Sequence, residues 1–345
     1  LEENRENGKQ VVALDIDLDG DRDIIVGNRI IPKNYPRHAP SILYENQSGK
    51  LVNVTEERTT GFDTFGMVND IAVVDLNGDG YKDVMMLGEW TGIGIWMNNK
   101  GILEYQSEHP LKELTGWWHS LTPVDLDQDG LMDFVAGNVG KSIKFKTSKE
   151  KPFKIYANDF DENGSPDIVL SKVYNDTYVP VRGKECSTQQ MPFISNKFKT
   201  YESFASASLD DIYGEKLTEA YEREVITFES VLLRNRGELN FEVEALPFEA
   251  QLFPILSAEV VAAENEKRQL LLFGNIYNTE VETPRLDGVG ALPITLFENG
   301  KLDQNISSEQ YIKIQGNIKS SVFLPSMNAV VVGLNDDYLH KIKLN

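Results

Sequence analysis

Short apolar runs rich in Val, Ile and Leu recur along all 345 residues, each bounded by a cluster of Gly, Asn or Asp. That is the pattern of β-strands joined by tight turns. Val11-Val12-Ala13-Leu14 leads into an acidic turn and Ile24-Ile25-Val26 leaves it. The same order of strand, acidic turn, strand and Gly returns in IAVVDLNGDGYKDVMMLGEW (71–90) and LTPVDLDQDGLMDFVAGN (121–138). Second hairpins with an Asn/Gly turn read SILYENQSGKLVNVT (41–55), GIWMNNKGILEYQ (94–106), VLLRNRGELNFEV (231–243) and ITLFENGKLDQ (294–304). Two hairpins in succession make a four-stranded antiparallel blade. Segments 258–275 and 319–335 keep the second strand and its Gly, but their loops lack the Asp set. First strands near Val11, Ile71, Leu121, Ile155, Val260 and Val322 mark six units. Repeats of about 40 to 60 residues with four strands each predict an all-β propeller of six or seven blades, with 1–345 as one domain.

One stretch departs from this rhythm. Within 183–225, Phe198, Tyr201, Phe204, Ala205, Leu209 and Ile212 fall at helical spacing, which predicts a helical insertion packed on the propeller with that stripe in its core.

The turns of the first hairpins concentrate the charge. Windows DIDLDGDRD (15–23), DLNGDGYKD (75–83), DLDQDGLMD (125–133) and DFDENGSPD (159–167) hold 16 acids against two bases, so that of a formal −20 only −6 falls on the other 309 residues. All four fit D-x-[DN]-x-[DN]-G-x-x-D. Side-chain oxygens at the first, third, fifth and ninth places, with a backbone carbonyl from the seventh, suit a hard cation that takes 6 to 8 oxygens at about 2.3–2.6 Å. The predicted ligands are Asp15, Asp17, Asp19, Asp21 and Asp23; Asp75, Asn77, Asp79, Tyr81 and Asp83; Asp125, Asp127, Asp129, Leu131 and Asp133; and Asp159, Asp161, Asn163, Ser165 and Asp167, with Asp21, Tyr81, Leu131 and Ser165 at the seventh place. Gly20, Gly80, Gly130 and Gly164 fill the sixth place, where a sharp bend requires positive φ. Carboxylates held this close repel unless a cation joins them. Calcium fits better than magnesium, which tolerates less crowding. An EF-hand is excluded, because its twelfth-place Glu is here Val26, Met86, Ala136 or Leu170. About four calcium ions are expected.

These loops resemble the FG-GAP/VCBS repeats of integrin-type propellers. The wider text, including GNRIIPKNYPRHAPSILYENQSGKLVNVT, GEWTGIGIWMNN, TGWWHSLTPVDLDQDGLMDFVAGNVG, PFKIYANDFDENGSPDIVL and STQQMPFISNKFKTYESFA, is similar to bacterial VCBS-repeat proteins related to cartilage acidic protein, of the ASPIC/UnbV type. The resemblance implies a propeller, calcium in the loops and an extracellular or outer-membrane setting. The last two repeats depart from it in lacking the metal pattern, and no ASPIC/UnbV tail is recognisable.

Other features narrow the function. The acidic balance argues against nucleic acid or an anionic membrane, which need a basic face. No apolar run reaches the roughly 18 residues of a membrane span. The opening residues lack a basic start followed by an apolar stretch, so no signal peptide is expected there, and a start at Leu1 suggests a processed or excised piece. Cys186, the one cysteine, has no internal disulfide partner. Four histidines, His38, His109, His119 and His340, form neither a metal pair nor a triad context. Trp117, Trp118 and His119, beside Tyr35 and Arg37 of a Pro-rich loop, form a candidate ligand face; core packing of the tryptophans, including Trp90 and Trp96, is the competing expectation. The leading function is a non-catalytic extracellular calcium-binding propeller, a binding or scaffold module for a glycan or cell-envelope protein. A polysaccharide lyase or glycoside hydrolase on a calcium-stabilised propeller is the first alternative, although a uronate lyase needs a basic cleft and this surface reads as acidic. An accessory subunit of an outer-membrane uptake or secretion complex is the second. The sequence does not define an oligomeric state.

Overall fold

The computed structural model describes residues 7–262, 268–279 and 283–344. Residues 263–267, part of the repeat expected to have lost its metal ligands, lie outside them.

The protein is a β-propeller built from antiparallel sheets. Strands β1 (Asn7–Leu14), β2 (Asp23–Ile30), β3 (Ile42–Gln47) and β4 (Lys50–Asn53) form the first sheet in chain order. The second repeats this with β5 (Met67–Val74), β6 (Asp83–Thr91), β7 (Gly94–Asn99) and β8 (Ile102–Tyr105), and adds the short β9 (Gly116–Trp117) beside β6. The third joins β10 (Ser120–Val124) and β11 (Asp133–Gly137) to β16 (Val231–Asn235) and β17 (Phe241–Ala245). Two three-stranded sheets follow, β18 (Ser257–Ala262), β19 (Arg268–Ile276) and β20 (Leu286–Leu296), then β21 (Asn317–Leu324), β22 (Ala329–Asn335) and β23 (His340–Lys343). Their first strands β1, β5, β10, β18 and β21 pack side by side in that order around the axis.

The Ile155 unit stands elsewhere than a simple succession of blades would put it. β12 (Phe153–Asn158), β13 (Asp167–Tyr174), β14 (Thr177–Pro180) and β15 (Tyr221–Val225) form a sheet in the order β14-β13-β12-β15. It is nested in the chain between β11 and β16, which pair directly with each other. Through Phe153, Ile155 and Val225 it packs on Met67, Trp90 and Trp117, across the ends of the neighbouring blades.

Five short helices occupy Lys184–Gln190 (α2), Phe193–Lys197 (α3), Tyr201–Ala205 (α4), Leu209–Tyr213 (α5) and Glu215–Thr218 (α6), following α1 at Thr55–Arg58. The last residues of the 183–225 stretch are therefore strand, not helix. Thr200 and Ser208 restart the helices through capping boxes with Ser203 and Asp211. Each restart resets the rotation, so the stripe does not run on one face. Phe204, Leu209 and Ile212 are buried, while Tyr201 and Ala205 are exposed.

The blades interleave large side chains. Trp118, Leu121 and Phe134 share one core with Met85, Leu87 and Ile95 of the second sheet. Trp96 packs edge-on against Phe62 and Phe65 between the first two sheets.

Candidate functional site

Each acidic window joins the first two strands of its sheet, and its conformation repeats. Gly20, Gly80, Gly130 and Gly164 have φ of 96°, 93°, 89° and 84°. The fourth place also lies in the left-handed region, at Leu18, Gly78, Gln128 and Glu162. Spacing alone did not signal that second inversion, since only one of the four is glycine.

Inside each loop, the first carboxylate collects backbone donors. Asp15 Oδ2 accepts from Gly20 N at 3.0 Å, Asp75 Oδ2 from Gly80 N at 3.0 Å, Asp125 Oδ2 from Gly130 N at 3.1 Å and Asp159 Oδ2 from Gly164 N at 2.8 Å. The ninth carboxylate does something else. Asp23, Asp83, Asp133 and Asp167 are all nearly inaccessible. Their Oδ2 atoms accept from the N–H of the second loop residue, Ile16, Leu76, Leu126 and Phe160. In the first three loops Oδ1 accepts from the N–H of an asparagine in the third strand, Asn46, Asn98 or Asn235, at 2.8 Å each time. The ninth Asp is thus a clip that fastens the loop to its own sheet, a role added to the expected one of ligand. Burial pushes all four carboxyls above the usual range, against the pull of those N–H groups.

Neighbouring sheets hold the loops as well. Asn98 Nδ2 donates to Ile16 O across the first seam, and Arg268 donates to Asp125 O and Leu126 O across a later one. Within their own repeats, Arg58 pairs with Asp17 and Glu45, and Arg236 with Asp127. The loops are seam elements, so whatever stiffens them stiffens the packing of one blade on the next.

The donor sets of three loops fit a hard cation. Carboxylate oxygens of Asp15, Asp17 and Asp19, of Asp125, Asp127 and Asp133, and of Asp159, Asp161 and Asp167 gather within 4.8 Å of one another. Asp21 Oδ1, Asp125 Oδ1, Asp127 Oδ1 and Asp161 Oδ1 are buried without a hydrogen-bond partner, as oxygens reserved for a metal would be. The second loop shows neither feature among the described residues. Asn77 replaces an acid there, and its Nδ2 donates to Asp79 Oδ2 at 2.9 Å. Asp129 and Asn163, at the fifth place, accept from Leu131 N and Ser165 N two residues on. Tyr81 N likewise donates to Asp79 Oδ1.

A different site lies at the other end of the strands. Glu89 is six residues beyond Asp83 along β6, about 20 Å away at the strand rise. There the nested sheet covers the blade ends and leaves a half-open cavity of about 600 Å³. Tyr35, Glu89, Trp90, Trp117 and His119 line it together with Ile168, Leu170, Arg182 and Gln190 of the nested unit and Ile276, Asn278 and Thr279 at the end of β19. Tyr35 Oη accepts from Trp90 Nε1 at 2.7 Å and lies 3.5 Å from Glu89 Oε2, to which it donates. Arg29 holds Glu89 Oε1 through Nη2 at 2.6 Å and Nε at 3.0 Å. Burial and the nearby Glu89 carboxylate push the Tyr35 phenol up. Burial, then the cations Lys9, Arg29 and Lys319, hold His119 well below the usual imidazole range.

The structure divides the five residues proposed as a ligand face. Trp117, His119 and Tyr35 line the cavity. Trp118, just past β9, does not: it lies in the core, where its Nε1 donates to Leu114 O at 3.0 Å. Arg37 is exposed and its guanidinium covers the Tyr221 ring at 4.9 Å. Glu89, Arg182 and Gln190 went unnoticed in the sequence, because nothing local shows that β6, β14 and α2 converge. Lys9, Arg29 and Lys319 are electrostatic neighbours of His119, and Arg182 lines the cavity with Glu89.

The fourth acidic loop alone borders this cavity, through Pro166. Its clip differs too: Asp167 Oδ1 accepts from the side chain of Gln190, at 3.3 Å, where the other loops use a strand N–H. Gln190 therefore touches both the loop and the cavity.

Residues 15–86 and 75–136 match the family model described as an FG-GAP-like repeat. Together the two matches span the first three acidic loops, and they share residues 75–86 of the second sheet. No curated protein matches the chain. Among the described residues no helix is long and apolar enough to cross a membrane.

Proposed function

We propose that this FG-GAP-repeat propeller is a calcium-clamped binding module of an extracellular or outer-membrane surface, of the ASPIC/UnbV type, that holds a glycan or glycan-bearing envelope protein in the cavity under the nested sheet. The observation that carries the proposal is that cavity: half-open, walled by Trp90, Trp117 and Tyr35, and placed at the end of the blades away from the first three acidic loops. Ligand sites are concave and mostly apolar, with a few fixed polar groups, and aromatic faces suit the C–H faces of sugar rings.

Calcium has a mechanical part in this account. Asp15, Asp17 and Asp19, Asp125, Asp127 and Asp133, and Asp159, Asp161 and Asp167 would hold one ion each, and Asp75, Asp79 and Asp83 a fourth more weakly, because fewer charges lower the affinity. The ion supplies positive charge where the loops concentrate negative charge. An ion bound only by the folded loops stabilises the fold by mass action, here at the blade seams.

A glycan array probed with the calcium-loaded protein tests the proposal. Ile276→Arg, which puts a long charged side chain into the cavity lining at the end of β19, is expected to abolish binding and leave calcium uptake intact. A variant that still bound every glycan the parent binds would move the site elsewhere.

A further inference from the structure

The first three acidic loops lean on the next sheet of the propeller, and the fourth leans on helices. At the second place of each loop stands a buried apolar residue. Ile16 packs with Val84 and Trp96 of the second sheet, Leu76 with Leu121 and Phe134 of the third, and Leu126 with Leu270 and Leu292 of the β18–β20 sheet. Phe160, at the same place in the fourth loop, packs with Met191, Ile194, Leu209 and Tyr213 of the helical insertion, its ring 4.6 Å from that of Tyr213. The polar contacts correspond as well. In the third loop Arg268 donates to the carbonyls of the first and second places, Asp125 O at 2.8 Å and Leu126 O at 3.2 Å. In the fourth, Lys216 Nζ of α6 reaches the same two carbonyls, Asp159 O at 3.5 Å and Phe160 O at 3.0 Å, and Asn158 Nδ2 donates to Lys216 O at 2.9 Å. At this loop the insertion makes the contacts that a following blade makes elsewhere.

The insertion depends on that grip. Its five helices have seven residues or fewer, and isolated helices so short are unstable in water. Their apolar side chains close on Tyr156, Phe160 and Val169, which belong to β12, the loop and β13. The first helix, α2, is tied through Gln190 Nε2, which donates to Asp167 Oδ1 at 3.3 Å and Ile168 O at 3.4 Å. The last, α6, is tied through Lys216, which also pairs with Glu162 at 2.9 Å. Both ends of the insertion are therefore fastened to one acidic loop. Within that loop, carboxylate oxygens of Asp159, Asp161 and Asp167 lie within 4.8 Å of one another, and Asp161 Oδ1 is buried without a hydrogen-bond partner. Left uncompensated, such charges repel and spread the loop, and its grip on Gln190, Tyr213 and Lys216 loosens with it.

We propose that the fourth acidic loop is the regulatory site of the cavity: with calcium in the loop, α2–α6 are held in place, and with them the part of the cavity lining that Arg182 and Gln190 supply. This rests on the calcium-clamped reading above and gives one of its sites a separate task. The first three loops stiffen seams between blades, and the fourth sets the shape of the cavity. Coupling between two sites is reciprocal, so a ligand held against Gln190 raises the affinity of the fourth loop for calcium.

Hydrogen exchange read by mass spectrometry on the full chain tests this without a cavity ligand. In chelator, amides of residues 184–218 are expected to exchange about tenfold faster or more than in calcium, as the insertion opens locally. Asp161→Asn, at a calcium concentration that fills the parent's sites, should reproduce that rise in 184–218 while β1 and β5 stay protected. Asp127→Asn disables the third loop and should leave 184–218 as in the parent. Calorimetry on the same samples reports whether calcium is taken up. Uptake with unchanged exchange of 184–218 in chelator and in Asp161→Asn overturns this inference and leaves the calcium-clamped binding module standing. A rise of the same size in Asp127→Asn overturns it too, because calcium would then act on the ring as a whole. No calcium uptake by the parent overturns both.

Discussion

Replacing Asp133 by alanine separates the two roles of the acidic loops. The side chain is 1% exposed, and its oxygens accept from Leu126 N at 3.1 Å and Asn235 N at 2.8 Å. Asp133→Ala leaves two buried donors unpaired, at about 1–3 kcal/mol each. The carboxylate itself is costly to bury, as its raised pKa indicates, so its removal returns part of that loss. The expected destabilisation is about 2–4 kcal/mol, and it persists in chelator because hydrogen bonds cause it. Asp125→Ala is the contrast. Asp125 Oδ2 accepts only from Gly130 N in an exposed bond, and its Oδ1 has no partner. Without calcium its loss should cost about 1 kcal/mol or less. With calcium at a hundredfold its dissociation constant, a further loss of up to about 2.7 kcal/mol appears, because the site's mass-action contribution disappears. Urea denaturation of the parent and both variants, in calcium and in chelator, reads all four differences. The reasoning fails if the Asp133→Ala loss collapses in chelator, or if Asp125→Ala costs as much without calcium as with it.

Three further outcomes follow from particular residues. Asp70 joins three first strands, accepting from Gln10 Nε2, Ile71 N and Leu121 N, and burial raises its pKa to about 6 from the ordinary 3.8. The folded protein thus holds this proton more tightly than the unfolded chain, so stability is gained as pH falls through about 6 and lost as it rises through it. In chelator the parent should gain about 2.4 kcal/mol relative to Asp70→Ala between pH 7 and pH 4, measured by urea titration; no difference in slope would contradict the burial. Gly130→Ala meets no atom within 4 Å but keeps a φ of +89°, so it should cost about 1 kcal/mol, while Gln128→Gly, at φ 60°, should be neutral or slightly stabilising in the same assay. Because Gln190 bridges the fourth loop and the cavity, Asp161→Asn should weaken ligand binding several-fold in calorimetry and Asp17→Asn should not; equal effects would dissociate Gln190 from that coupling.

Much of the fold is written in local pattern. β-Branched runs, Asn/Gly turns and the ninefold spacing of acids locate the first hairpins, because strand period and turn chemistry act over a few residues. What a repeat cannot encode is which sheet its strands join. The Ile155 unit carries the same acidic hairpin as the others, yet its neighbours β11 and β16 close on each other and leave it outside their sheet. The helical stripe failed at Tyr201 and Ala205 because capping residues break the helix into short pieces. Which of Trp117 and Trp118 meets a cavity depends on β13 and α2 arriving from far along the chain. The ninth-place clip was hidden for a similar reason: its second partner, Asn235, lies 102 residues from Asp133.

Calorimetric titration of calcium into the chelated protein, with a melting curve at each end point, tests the central claim most directly. The account predicts three stronger sites and a weaker fourth, lost singly in Asp17→Asn, Asp127→Asn, Asp161→Asn and Asp79→Asn, and a melting temperature that rises as the sites fill. A protein that takes up no calcium and melts at the same temperature with or without it would contradict the account.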